Sequence, residues 1–221
     1  MHRMSKTASV LVAGLGLAAG ALGLSGCASS VQGKLISQTM EQLRGDGDFP
    51  RTRAEVSAYP YAQLGVRVDG NRAGIPVLIE YVGQDYLWGA GDVFRLHQAR
   101  DGRIKYLRLP ETETWLDWGT VTLQPEPPAE FIVGLRAVAT NGDAIERPMR
   151  CVLEQSEPAT IIINTYPLDT MRSQYRCDSA PASPSVVMTY WHDAQGRIRR
   201  TEGQLWEQGN HLFMEALKVP A

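Results

Sequence analysis

The stretch 61-YAQLGVRVDGNRAGIPVLIEY-81 decides the fold, because along it the hydrophobic period of the chain becomes two. Val66 and Val68 alternate with Arg67 and Asp69, Asp69, Gly70 and Asn71 then supply turn chemistry, and Ile75, Val77, Ile79 and Tyr81 share one face of the run that follows. Successive side chains of an extended chain point to opposite faces, so this pattern wets one face of a sheet and buries the other.

Outward from this hairpin the same pattern recurs. Runs at 93–97, 103–107, 131–137, 149–153, 160–166, 186–191, 197–201 and 212–217 are apolar, β-branched or alternating, and Gly and Pro separate them. About ten short strands predict a mainly β protein, a single antiparallel β domain of hairpins spanning 33–221 that is either two-layered or barrel-like. Pro125, Pro127 and Pro128, with Gln124 and Glu126, read as a connection between two halves of one sheet system, and Pro181 and Pro184 mark a second loop. Two hairpins echo each other: Arg100, Asp101, Gly102, Arg103, Ile104 and Lys105 against Ala194, Gln195, Gly196, Arg197, Ile198 and Arg199. Polar turns with Gly recur by chemistry alone, so the echo does not establish a duplication.

Ahead of the strands, Ile36, Met40 and Leu43 fall at helical spacing with Gly45 placed to end the helix, and 50–56 predicts a short second helix with Pro50 in its first turn. Residues 28–32 are small and polar, as a tether would be. The first 26 residues are of another kind. Arg3 and Lys6 precede the uncharged run from Ala8 to Leu24, and Leu24, Ser25, Gly26 and Cys27 form a lipobox: a large apolar residue, two small ones, and the thiol that takes diacylglycerol. The expectation is a signal peptide over 1–26, acylation of Cys27 and a lipidated tether over 27–32, so that acyl chains hold the mature domain to a membrane. Ala28 and Ser29 follow the cysteine without an aspartate, which predicts the periplasmic face of the outer membrane.

Cleavage there leaves 20 basic against 24 acidic residues, a balance that argues against nucleic acid as a partner. Cys151 and Cys177 remain as an even pair in an oxidising compartment and predict a disulfide, with two separate buried thiols as the alternative.

No motif points to a cofactor. The glycines at 14, 16 and 20 lie in the signal peptide, no phosphate loop or Gly-x-Ser-x-Gly occurs, and His97, His192 and His211 are scattered without metal spacing. Glu111, Glu113 and Asp117 beside Trp115 and Trp118 suggest a glycosidase acid pair with a stacking platform, but alternation with Thr112 and Thr114 reads better as the wet face of a strand or loop. No catalytic residue, metal or cofactor is expected. Of the five tryptophans, Trp115 and Trp118 sit in a polar context and are the candidate exposed contacts for a glycan or a protein partner.

With these features in place the chain resembles the YjbF and GfcB family, lipoproteins of group 4 capsule and related exopolysaccharide clusters. The resemblance rests on Tyr59, Pro60, Tyr61 and Ala62, on Leu87 and Trp88 followed by Asp92, and on Gly102, Arg103 and Ile104. It is strongest at Tyr190, Trp191, Asp193, Gly196, Arg197, Ile198 and Arg199, followed by Leu217, Lys218 and Pro220. Val219 separates Lys218 from Pro220 where the family has them adjacent, and a Thr-x-Gly before Leu109 and Pro110 is missing. The resemblance implies a non-catalytic accessory factor in assembly or export of an extracellular polysaccharide, beside an outer-membrane β-barrel export protein. The competing expectation is a periplasmic glycan-modifying enzyme whose site is dispersed over several strands.

Overall fold

The computed structural model describes residues 53–70, 72–123, 126–139, 141–179 and 183–220. The expected helix around 36–43, the tether, Cys27 and the signal peptide lie outside them. The second expected helix, over 50–56, is present in its described part as α1, Arg53–Ala58. Thirteen strands follow among the described residues: β1 Gln63–Val68, β2 Arg72–Gly74, β3 Val77–Val82, β4 Asp85–Ala90, β5 Phe94–Ala99, β6 Ile104–Leu109, β7 Thr112–Asp117, β8 Glu130–Ala139, β9 Ala144–Ile163, β10 Tyr166–Asp178, β11 Val186–His192, β12 Ile198–Gln204 and β13 His211–Lys218.

Apart from β2 and β3, which both pair with β1, every strand pairs antiparallel with the next along the chain, and β13 returns to β1 over six residue pairs from Gln63↔Lys218 to Val68↔Leu212. The sheet therefore closes on itself. β2 and β3 flank the same edge of β1, divided at Ile75 and Pro76, because proline has no amide to give the ladder. Counted as one wall position, they make a twelve-stranded closed barrel, which decides between the two expected architectures.

Alternation sets the inside and the outside. Val66, Trp88, Phe94, Leu96, Val133, Leu135, Tyr175 and Leu212 point inward and are almost wholly buried. Outward positions carry cross-strand ion pairs such as Glu130–Arg150 at 2.5 Å and Glu154–Arg176 at 3.0 Å. A transmembrane barrel has the opposite arrangement, with an apolar outer band, so this wall is built for water.

Because the chain meanders, turns alternate between two ends. The entry end holds α1, the start of β1, the β3–β4, β5–β6, β7–β8, β9–β10 and β11–β12 connections and the end of β13; the far end holds the others.

β9 was expected as two strands, 149–153 and 160–166. It is one strand, and the true turn falls inside the second run: Asn164 and Thr165 both take positive φ, 52° and 68°, the backbone of a tight two-residue hairpin. No glycine marked that turn. Beyond Val152 the strand has left β8 and pairs only with β10, and the end of the hairpin folds over the outer wall. There Ile161 and Ile163 pack with Trp191, Leu217, Val56 and Ile75, and the Asn164 amide donates to the Leu217 carbonyl at 2.6 Å.

The two echoing hairpins share their irregularities. β5–β6 pairs His97 with Tyr106 and then Gln98 with Ile104, a bulge; β11–β12 pairs Trp191 with Arg200 and then His192 with Ile198. Each position is the other displaced by 94 residues. The Gln98 amide donates to the Gly102 carbonyl at 2.9 Å, and His192 occupies the corresponding position beside the second turn. Six wall positions precede the proline-rich segment and six follow it, so that segment does divide the sheet system into halves. The hairpins stand on opposite walls, and their turns meet: the Ile198 amide donates to the Asp101 carbonyl at 2.8 Å.

Candidate functional site

Cross-strand register builds one row on the outer wall from Leu87, His97, Tyr106, Trp115, Arg136 and Glu146. Trp115 is its centre. Its ring lies 5.1 Å from that of Tyr106, and the Arg136 guanidinium sits 4.9 Å over the indole, a cation–π contact on a half-buried face. Arg95, Arg108 and Glu113 occupy the next row, with Arg108 and Glu113 paired at 3.4 Å. Burial, with Glu113 close by, raises the Tyr106 hydroxyl pKa above the ordinary range against the pull of Arg108 and Arg95, so the ring is neutral and its hydroxyl is a donor.

Trp118 does not join this surface, and the expectation of its exposure is corrected. Three residues along an extended chain reverse the face, so Trp118 turns inward, stacks on Phe131 at 5.4 Å and donates from its indole nitrogen to the Ile104 carbonyl at 2.6 Å. Phe131 continues to Tyr175 at 5.0 Å and Tyr175 to Tyr190 at 6.1 Å, an aromatic ladder through the core. Burial raises both tyrosine hydroxyls far above their ordinary pKa.

The carboxylates that suggested an acid pair have local partners. Glu113 holds Arg108, and Asp117 accepts from the Gly119 amide at 3.0 Å. The histidines are apart: His97 meets Asp85 at 3.2 Å on the wall, His192 is buried inside the entry end, and His211 lies 4.0 Å from Glu202. Among the described residues no group of three or more His, Cys, Asp or Glu is placed to hold a metal.

At the entry end the two related turns use the same device. The Asp101 carboxylate accepts from the Arg103 amide at 3.2 Å and its Nε at 2.7 Å; the Asp193 carboxylate accepts from the Arg197 amide at 2.9 Å and its Nε at 3.1 Å. Burial alone would raise the Asp193 pKa, but the hydrogen bonds from Arg197 and Arg199 outweigh it and hold the carboxyl below its ordinary value. Beneath the turns lies a void of about 50 Å³ bordered by Leu64, Trp88, Gln98, Ile198, Thr201 and Met214, with Arg100, Arg197 and Arg199 around it. That is room for a water molecule or two and far too little for a sugar.

Cys151 and Cys177 face each other across β9 and β10 as register partners, 4.0 Å apart at Cα, and are joined in a disulfide. The predicted pair is therefore present and buried. The sequence did not single out Tyr106 and Arg136. Both come to Trp115 only through register, and nothing in a single strand announces the neighbour it will take.

No protein-family model and no curated protein matches the sequence. In three dimensions the chain is similar to the crystal structure of the hypothetical lipoprotein YmcC from Escherichia coli K12, with a TM-score of 0.69 and 15% identity over 87% of this chain and 98% of that one. A chain from Parabacteroides distasonis overlaps with a TM-score of 0.30 and 7% identity over 72% and 94% of the respective chains, too loosely to carry an argument. At 15% identity what is shared with YmcC is the fold, nearly end to end.

Proposed function

We propose that the chain is an outer-membrane lipoprotein, acylated on Cys27 and held at the periplasmic face, that acts as a non-catalytic accessory factor in assembly or export of an extracellular or capsular polysaccharide. The lipobox and the resemblance to the YjbF and GfcB family supply the compartment and the process. The likeness in fold to another lipoprotein agrees with the anchor.

One observation carries the accessory role: the barrel is filled. A closed wall of twelve strands is wide enough to enclose a ligand or a channel, yet Trp88, Phe94, Leu96, Tyr175 and Tyr190 pack its interior and opposed turns meet over its entry end. Such a barrel works through its outer surface. The row of Tyr106, Trp115 and Arg136 offers an aromatic and cationic contact for a glycan or for an export barrel in the same membrane.

The test uses the native host. Deleting the gene abolishes surface polysaccharide; Cys27→Ser stops acylation and reproduces the deletion; Ala at Glu111, Glu113, Asp117, His97, His192 or His211 leaves export nearly intact. A single one of those six that matches the deletion, in folded protein at normal abundance, overturns the accessory reading in favour of a dispersed enzyme site, because losing a general acid or base costs about 100-fold or more in rate.

A further inference from the structure

Exposed large apolar side chains are unevenly placed along the barrel axis. Of the eight among the described residues, seven lie in the half toward the entry end, and Val187 alone lies toward the far end. Scattered exposed apolar residues are ordinary, but a concentration of them at one end marks a contact surface.

Two projections carry most of it. Tyr81 and Val82 stand at the tip of the β3–β4 hairpin with exposures of 49% and 44%, Ile79 midway along it with 52%, and Ile162 and Tyr166 flank the β9–β10 turn with 65% and 57%. Both projections have structural reasons to hold their shape. Ile79 lies across Gly89, where no side chain could fit, and Tyr81 meets Tyr86 edge-on at 5.7 Å. Ile162 is turned outward because its neighbours Ile161 and Ile163 are buried against Trp191 and Leu217.

The occupant follows from where the chain enters. α1 and the start of β1 stand at this same end, and 26 residues separate Arg53 from Cys27. Acyl chains on Cys27 therefore bring the entry end, not the far end, to the leaflet. Tyrosine is enriched at the boundary between headgroups and acyl chains, and the exposed Arg100 and Arg197 of the two related turns add basic side chains to the same end, suited to anionic phospholipid.

We propose that the entry end of the barrel rests on the lipid leaflet that holds acylated Cys27, with the tips of the β3–β4 and β9–β10 hairpins seated among the headgroups. The far end then points into the periplasm and the Trp115 row stands upright beside neighbouring membrane proteins. This rests on the lipidation in the proposed function and not on the polysaccharide.

The full-length acylated protein, in vesicles of phosphatidylethanolamine and phosphatidylglycerol, carries a spin label at Tyr81→Cys, Ile162→Cys or Ala144→Cys, the last at the far end. Mass spectrometry of the Cys27 peptide accompanies each sample. Labels at 81 and 162 are expected to collide at least threefold more with oxygen than with a water-soluble nickel complex, relative to the label at 144. Ile79→Glu combined with Ile162→Glu, with circular dichroism unchanged, is expected to return the label at 81 to water. An acylated protein whose three labels are equally aqueous overturns the docking alone, whereas an unacylated Cys27 overturns both the docking and the anchor. Protection that vanishes on tenfold dilution of protein in lipid is contact between copies, and overturns the docking as well.

Discussion

The main-chain amide of Ile198 donates to the carbonyl of Asp101 at 2.8 Å, so that a turn from each half of the chain touches its counterpart over the entry end of the barrel. Gly102 makes that approach possible. Its φ is +96°, and an added Cβ would lie 2.6 Å from the Ile198 Cβ. Gly142, with φ +87° and nothing within 4 Å, supplies the control. Gly102→Ala is expected to lower stability by about 2–4 kcal/mol, from backbone strain plus overpacking, and Gly142→Ala by about 1–2 kcal/mol from strain alone. Urea unfolding of both variants measures the difference, and equal losses would deny that the turns are in contact.

His192 makes the fold sensitive to acid. Burial pushes its pKa below the ordinary histidine value, against the opposing pull of the Gly196 backbone, Asp101 and Asp193. As pH falls through about 6.5 the unfolded chain takes a proton that the folded chain refuses, so stability is lost on acidification, by no more than about 1.4 kcal/mol per pH unit. Glu215 acts in the opposite sense. Burial raises its carboxyl despite Arg200, so its contribution is present at low pH and is lost as pH rises past the ordinary glutamate range. His192→Gln installs the residue that the first half carries at Gln98, and its melting temperature is expected to fall less between pH 7 and pH 5 than that of the parent. A parallel decline would exclude His192 as the source.

Cys151→Ser with Cys177→Ser is expected to lower stability by about 3.5 kcal/mol on the loop-entropy account, since the crosslink closes a separation of 26 residues. Both sulfurs are buried, with residue exposures of 1% and 2%. Mild reductant should therefore leave the folded protein oxidised and act only after denaturant is added. Thiol counting before and after unfolding checks this, and rapid reduction of the native protein would contradict the burial.

The two tryptophans should separate stability from function. Trp118→Ala removes a core ring together with its hydrogen bond and is expected to cost about 3–5 kcal/mol. Trp115→Ala removes a half-buried outer ring and should cost well under half of that while reducing polysaccharide export. Thermal melts and an export assay on the same two variants decide it, and export that is normal in folded Trp115→Ala would clear the row of a contact role.

Strands were legible where an apolar face alternates with a wet one, as at Val66 and Val68 or at Phe131 to Ala137. β10 was not: its inward face includes Ser173 between the core residues, its outward face carries Arg172 and Arg176, and Thr170 on that outward parity is buried as well, so hydrophobicity carries little period. β4 escaped for a related reason, since Gly89 on its outer face leaves room for Ile79 and contributes no apolar signal. Closure into a barrel is a property of two strands about 150 residues apart, and local pattern cannot report it. Trp115 and Trp118 were grouped by their polar surroundings, and strand parity, once the boundaries of β7 are known, separates them. The echo between the two turns was visible as composition, but only the shared bulge gives it structural weight.

The pairing of Gln63 with Lys218 has an architectural corollary. The chain leaves the barrel beside the point where it came in, and the Lys218 ammonium reaches back to the Tyr59 carbonyl. The wall is thus a ring whose seam can be relocated. A short linker across that pair, with new termini opened at the exposed Asn141 turn, should give a circularly permuted barrel with the same strand order around the ring. Its leader would then enter at the opposite rim, and the anchor proposed at Cys27 would turn the barrel upside down on the membrane.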